Sequence, residues 1–194
     1  METLGGLGKR ETRKGFFYLE IIYRIKKATK RSKIKKNMAY KKKTALEKLH
    51  ESHGLPKVEK ITGKMSKKWG RGTVVIPAPI EVDKIMKKVP KGKLITINQI
   101  RQIIAKKHKA TIGCPITCGI FAWISAYAAE EERAKGKKSI TSWWRTLKSD
   151  GTLNEKYPGG QENQKKLLEK EGQKITRKGK KYIVVDYEKS LIKA

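Results

Sequence analysis

A chain of 194 residues has room for one compact domain with extensions, and enough length to bury a core. Its 48 Lys and Arg against 18 Asp and Glu give a formal charge of +30 and a pI near 10.2, far beyond what solubility requires, so a polyanionic partner is expected. Nucleic acid is expected before an acidic membrane surface, and a soluble protein is expected because no apolar run is long enough to span a bilayer: the stretch from Phe16 to Ile25 is short and broken by Glu20 and Arg24. Two cysteines, Cys114 and Cys118, exclude a disulfide framework and lack the companions of a structural zinc, so neither metal nor cofactor is expected and a reducing cytoplasm fits.

Residues 1–37 carry 12 Lys or Arg against 3 Glu, leaving 36 basic and 15 acidic residues on the remainder, so both parts are basic independently. Apart from an apolar patch, Phe16-Phe17-Tyr18-Leu19 with Ile21-Ile22, this segment lacks pattern and reads as a disordered extension. Met38 opens a stretch that reads like an alternative translation start. Residues 38–72 are expected to hold a short helix over 44–51, ending at His53-Gly54, and then a solvated basic linker carrying Lys57, Lys60, Lys64, Lys67, Lys68, Arg71 and Trp69. A second reading of that linker is an arm along a phosphate backbone. The string Lys64-Met65-Ser66-Lys67 matches a nucleotide-handling loop of class I tRNA synthetases only superficially, since no βαβ pattern or companion histidine motif accompanies it.

The domain proper is expected over 73–187, with 188–194 as a tail. Thr73 to Ile76 is β-branched and stopped by Pro77 and Pro79, so a strand is predicted. Helical spacing follows at Val82, Ile85, Met86 and Val89, ended by Pro90. Thr96 and Gln99 form a capping box before a helix whose apolar face is Ile97, Ile100, Ile103 and Ile104. After a connector over 110–114, Pro115 opens a second helix with a face of Ile116, Ile120, Trp123, Ile124 and Tyr127. Glu130 to Lys138 reads as a mobile loop. Gln161 to Glu171 is helical with Gly172 as its cap, and residues 174–186 form a hairpin with a cationic tip at Arg177-Lys178-Gly179-Lys180. Two helices across a short turn, followed by strand-and-turn segments, predict an α+β, mainly helical fold: a winged helix-turn-helix domain with short strands and a C-terminal hairpin.

Between them lies Thr141 to Gly160, TSWWRTLKSDGTLNEKYPGG. Adjacent tryptophans followed by a charge and a Ser-Asp-Gly turn imply that something flat is packed or bound here, since an indole buries a large area and its N–H needs a partner. At least one of these tryptophans is expected in the core. Gly159 and Gly160 permit close backbone approach before a helix N-terminus.

The ordered motifs Trp143-Trp144-Arg145 through Gly151, Tyr157-Pro158-Gly159-Gly160, and Leu167-Leu168-Glu169-Lys170-Glu171-Gly172 resemble the DNA-binding domain of the O6-alkylguanine-DNA alkyltransferases. The closer likeness is to their alkyltransferase-like branch, in which tryptophan replaces the acceptor cysteine. The likeness runs from about Val82 to Gly172, with a fading tail to Tyr187. The active enzymes read Pro-Cys-His-Arg where this chain reads Ser142-Trp143-Trp144-Arg145, so nucleophile and base are both replaced. Val89-Pro90-Lys91-Gly92-Lys93 and Cys118-Gly119 extend the likeness. Ile116 stands where the family carries an arginine that enters the base stack, and Ile97 where it carries a tyrosine.

By resemblance, Trp143, Trp144, Arg145, Tyr157, Pro158, Gly159 and Gly160 line a lesion pocket. Thr96, Ile97, Ile116, Thr117, Gly119, Lys93, Lys109 and Lys148 meet DNA. Glu171 matches a glutamate that orients the family's catalytic histidine, a relay that Trp144 makes impossible. No catalytic residue is expected. The implied function is non-enzymatic recognition of alkylated guanine in double-stranded DNA, by a cytoplasmic monomer, nucleoid-associated in a bacterial cell, that signals to a repair-pathway protein. A general winged-helix nucleic-acid binder without lesion recognition is the alternative. An active methyltransferase using Cys114 or Cys118 is a third reading, and small buried packing residues are the commoner role for such thiols.

Overall fold

The computed structural model describes residues 43–193. The apolar patch of the basic extension and the alternative start at Met38 lie outside them. Helix α1 (Ala45–His50) begins at a reciprocal cap, in which the Thr44 hydroxyl accepts from the Glu47 amide and the Glu47 carboxylate accepts from the Thr44 amide. The amides of Ala45 and Leu46 donate to Glu131 at 2.8 and 3.0 Å, so a distant helix completes this terminus.

The segment expected to be a solvated linker is folded. Strand β1 (Lys57–Lys60) pairs antiparallel with β2 (Thr73–Ile76), helix α2 (Lys64–Trp69) lies between them in sequence, and β2 runs parallel to β4 (Ile112–Gly113). The β-branched residues of β2 need ladder partners on both edges, and β1 and β4 supply them. Ile61, Val74 and Cys114 are buried together beside this sheet.

Helices α3 (Pro79–Lys87), α4 (Ile97–Lys107) and α5 (Pro115–Ala134) enclose the main core of Val82, Met86, Ile100, Ile104, Cys118, Ala122, Ala126, Ala129 and Trp143. The predicted capping box of α4 is present: the Thr96 hydroxyl accepts from the Gln99 amide, and the Gln99 side chain accepts from the Thr96 amide at 3.0 Å. Helix α5 runs to Ala134 and so absorbs the front half of the expected loop. Its three consecutive glutamates each have a partner: Glu130 takes the Trp143 indole N–H, Glu131 caps α1, and Glu132 pairs with Lys137.

Strand β3 (Ile95–Thr96) runs parallel to β5 (Thr146–Leu147), which follows a single 3-10 turn at Trp143–Arg145. Helix α6 (Gly160–Glu169) and the hairpin of β6 (Ile175–Lys178) and β7 (Lys181–Val184) close a second core of Leu94, Leu147, Leu153, Leu168 and Val184. After the short helix α7 (Tyr187–Ser190), the expected tail is part of the domain. The Leu94 amide donates to the Ser190 carbonyl, the Ile192 amide donates to the Leu94 carbonyl, each at 2.9 Å, and the Gln99 side chain donates to the Ile192 carbonyl at 2.8 Å. Leu191 packs on the second core, so an apolar Leu-Ile pair near the chain end has buried surface to gain. The fold is α+β and mainly helical, with α4 and α5 as the two helices of the helix-turn-helix and β6–β7 as the hairpin.

Candidate nucleic-acid interface

Helix α5 carries apolar residues on two faces. The buried one is made of small side chains, Cys118, Ala122, Ser125, Ala126 and Ala129, which let α5 sit close to its neighbours. The larger residues predicted to form its apolar face lie outside: Ile116 is 61% exposed, Ile120 45%, Trp123 39% and Tyr127 40%. Of the predicted face only Ile124 is buried, against Leu49 of α1. A helix with small residues all along one side packs through that side, because bulkier neighbours would hold the backbones apart.

The outward face of α5 forms one wall of a groove of about 640 Å³. Pro115, Ile116, Gly119, Ile120, Ala122 and Trp123 come from α5, Ile97 from the start of α4, and Leu147, Lys148, Asn154, Glu155, Lys156 and Tyr157 from the segment leading to α6. That volume lies within the ~300–1,000 Å³ of sites that hold small ligands.

The opposite wall is held by the turn after β5. Asp150 accepts from the Thr152 amide at 3.2 Å and from the Thr152 hydroxyl at 2.6 Å, which keeps its carboxyl below the usual aspartate range. Gly151 has φ +74°, and a Cβ there would lie 2.3 Å from the Tyr187 ring, so the turn needs glycine on both counts. The Leu153 amide donates to the Tyr182 carbonyl and ties this wall to the hairpin. Gln164, fully buried, accepts from the Asn154 amide at 2.8 Å and donates to the carbonyls of Trp144 and Thr146, each at 3.0 Å. Lys148 pairs with Glu155 at the groove rim and holds that carboxyl below its ordinary range.

Tyr157 forms the inner wall, and its burial pushes the phenol up from its ordinary value. Behind it stands Trp143, wholly buried, edge-on to Tyr157 at 5.6 Å and to Trp144 at 5.9 Å between ring centroids. Its indole N–H donates to Glu130 at 2.7 Å. Trp143 therefore supports the wall and does not line the groove.

Trp144 and Arg145 are spent on bracing as well. The Trp144 indole donates to Glu171 at 2.8 Å, and Arg145 donates to both oxygens of the same carboxylate and to the Val89 carbonyl at 2.6 Å. The guanidinium carbons of Arg133 and Arg145 each lie 5.6 Å from the Trp144 ring. Burial opposes ionisation of Glu171, but Arg145, then Trp144, then the Gly92 amide outweigh it and hold the carboxyl below its ordinary range. The glutamate that would orient a histidine here ties three segments together.

Of the other predicted DNA contacts, Ile97, Ile116, Gly119 and Lys148 reach the groove. Lys93 and Lys109 are exposed elsewhere on the surface. Thr96 spends its hydroxyl on the α4 cap, and Thr117 turns its hydroxyl inward, where it has no partner among the described residues. Pro158 to Gly160 shape the start of α6, with Gly159 at φ +71° against Asn163, and do not line the groove.

No protein-family model matches the chain, and no curated protein does. Solved structures similar to it include S. pombe Atl1 in complex with damaged DNA containing O6-carboxymethylguanine, at 21% identity over 60% of this chain and 94% of that chain, with a TM-score of 0.38. S. pombe ATL in complex with DNA is similar at 20% identity over the same shares, also with a TM-score of 0.38.

Both cysteines are buried, Cys118 on the core side of α5 and Cys114 at its N-cap beside Ile61 and Val74, and neither lines the groove. Burial, then the neighbouring Cys114, pushes the Cys118 thiol up to about 12. A thiol in that state supplies almost no thiolate near neutral pH.

Proposed function

We propose that the protein is a DNA-binding protein that holds an O6-alkylated guanine in the α5 groove without repairing it, and so marks the lesion for another pathway. The observation that carries this reading is the groove itself: about 640 Å³, walled by apolar side chains and Tyr157, bounded by Lys156 and the Lys148–Glu155 pair, and lined by no thiol. A base held there would lie against Ile120, Trp123 and Tyr157, beside Asn154, whose side-chain oxygen accepts from the Lys156 amide at 3.0 Å. Ile116, the most exposed large apolar residue of α5, is suited to wedge into the space a displaced base leaves. Transfer of the alkyl group requires a thiolate in contact with the alkyl carbon, and neither Cys114 nor Cys118 lines the groove.

The second reading, a winged-helix binder without lesion recognition, draws support from Trp143. The ring that the resemblance puts at the acceptor position lies behind Tyr157 and out of the groove. The two readings part on one experiment. Fluorescence anisotropy of the 194-residue chain with matched duplexes, one carrying O6-methylguanine and one guanine, at low and high salt, measures lesion preference and backbone affinity separately. A preference that persists in high salt supports lesion recognition. Equal affinities that fall together with salt leave only the general binder.

A further inference from the structure

The groove does not use up the outward face of α5. Ile116, Ile120, Trp123 and Tyr127 follow one another at spacings of four, three and four residues, and so form one stripe spanning about 16 Å of helix at ~1.5 Å per residue. The first three line the groove, but Tyr127 lies past its end. Trp123 and Tyr127 pack edge to face, with centroids 5.4 Å apart and planes at 71°, and each remains about two-fifths exposed. This is a paired aromatic platform that the core does not need.

Charge decides what covers it. From Lys43 to Ala194 the chain holds 34 Lys or Arg against 15 Asp or Glu, so the partner is a polyanion. Three of the four glutamates along the stripe are matched by a cation, Glu130 by Arg133, Glu132 by Lys137 and Glu155 by Lys148, and Glu131 is turned to the N-terminus of α1. A closed duplex offers phosphates and base edges to a helix, with its ring faces hidden in the stack. Only unpaired bases present flat apolar faces on an anionic backbone, which meets both the charge and the aromatic stripe.

We infer that Trp123 and Tyr127 form a stacking platform for unpaired bases, and that the protein binds single-stranded DNA along α5 past the groove. This activity does not depend on lesion recognition. In the test, the complete chain is titrated into a short single-stranded DNA carrying 2-aminopurine, and separately into duplex DNA with and without O6-methylguanine, at high salt where backbone attraction is weak.

The wild-type protein should quench 2-aminopurine on binding, as stacking does. Tyr127→Ala, beyond the groove, should weaken single-strand affinity by about fivefold or more while leaving affinity for either duplex unchanged. Tyr127→Phe, which keeps the ring, should restore most of the loss. Single-strand affinity that is indifferent to Tyr127→Ala would overturn the inference. So would a change of molecular mass in sedimentation when Tyr127 is removed, because the face would then join two copies of the chain. Failure of lesion preference alone would sink the proposed function and leave this inference standing.

Discussion

Two sets of aromatic residues divide the labour in this domain. Trp143 packs edge to face with both Trp144 and Tyr157, and both indole N–H groups end on carboxylates, Glu130 and Glu171. Trp123 and Tyr127 make the same edge-to-face contact with each other on the outside of α5. The first set gives the groove a rigid back wall, and the second keeps ring surface open on the outside of α5. Aromatic content alone therefore does not locate a binding surface. What separates the sets is whether the polar atom of each ring has a protein partner and whether the ring face remains open.

This comparison can be broken most decisively at Trp143. If that ring is support, Trp143→Ala should cost about 3–5 kcal/mol of folding stability, as large-to-small changes of buried aromatics do, read from urea denaturation midpoints. A loss below about 1 kcal/mol would mean the ring is not part of the core.

Glu171 comes next. It and Arg145 are each about nine-tenths buried at the side chain, so Glu171→Gln leaves an uncompensated guanidinium and should cost about 3 kcal/mol. The pH dependence has a fixed sign. The folded-state pKa of Glu171 lies below its ordinary value of 4.5, so its stabilisation is complete above that value and is lost as pH falls through the folded-state pKa. The stability gap between wild type and Glu171→Gln should therefore be widest near neutral pH and should narrow in acid, and a gap that widens in acid would contradict the bracing role.

The smallest effect on stability belongs to Ile116, on the exposed stripe of α5 that also carries the outer pair. Ile116→Ala should change stability by no more than about 0.5 kcal/mol, because the side chain is mostly exposed. Its affinity for lesion-bearing duplex, measured by anisotropy, should fall severalfold. A variant that unfolds readily and binds normally would reverse the assignment of support and contact.

The sequence carried most of the architecture. Pro115 at the first turn of α5, the Thr96–Gln99 cap of α4 and the cationic hairpin tip each express a local rule that packing did not override. The capping glutamate of α1 was not legible, because Glu131 lies 86 positions from the amide it satisfies. Nor was the outward turn of α5. Ile116, Ile120, Trp123 and Tyr127 fit helical periodicity as well as Cys118, Ala122, Ala126 and Ala129 do, and hydrophobicity ranks the larger set as core. The small set was the signal, since a run of small residues at helical spacing marks the side on which a helix can approach its neighbours closely. Motif likeness located the 141–172 region, but it could not distinguish residues that line the groove from those that brace it. Gln164, whose single amide holds Asn154, Trp144 and Thr146 together, stood in no motif and was recognised only from its burial and partners.

The most direct test of the account is the affinity of the complete chain for O6-methylguanine duplex relative to guanine duplex, at two salt concentrations. The account predicts that absolute affinity falls steeply with salt in both cases while preference for the lesion persists. Identical affinities at both concentrations would contradict it, and the groove of α5 would then be a surface that meets DNA without reading the base.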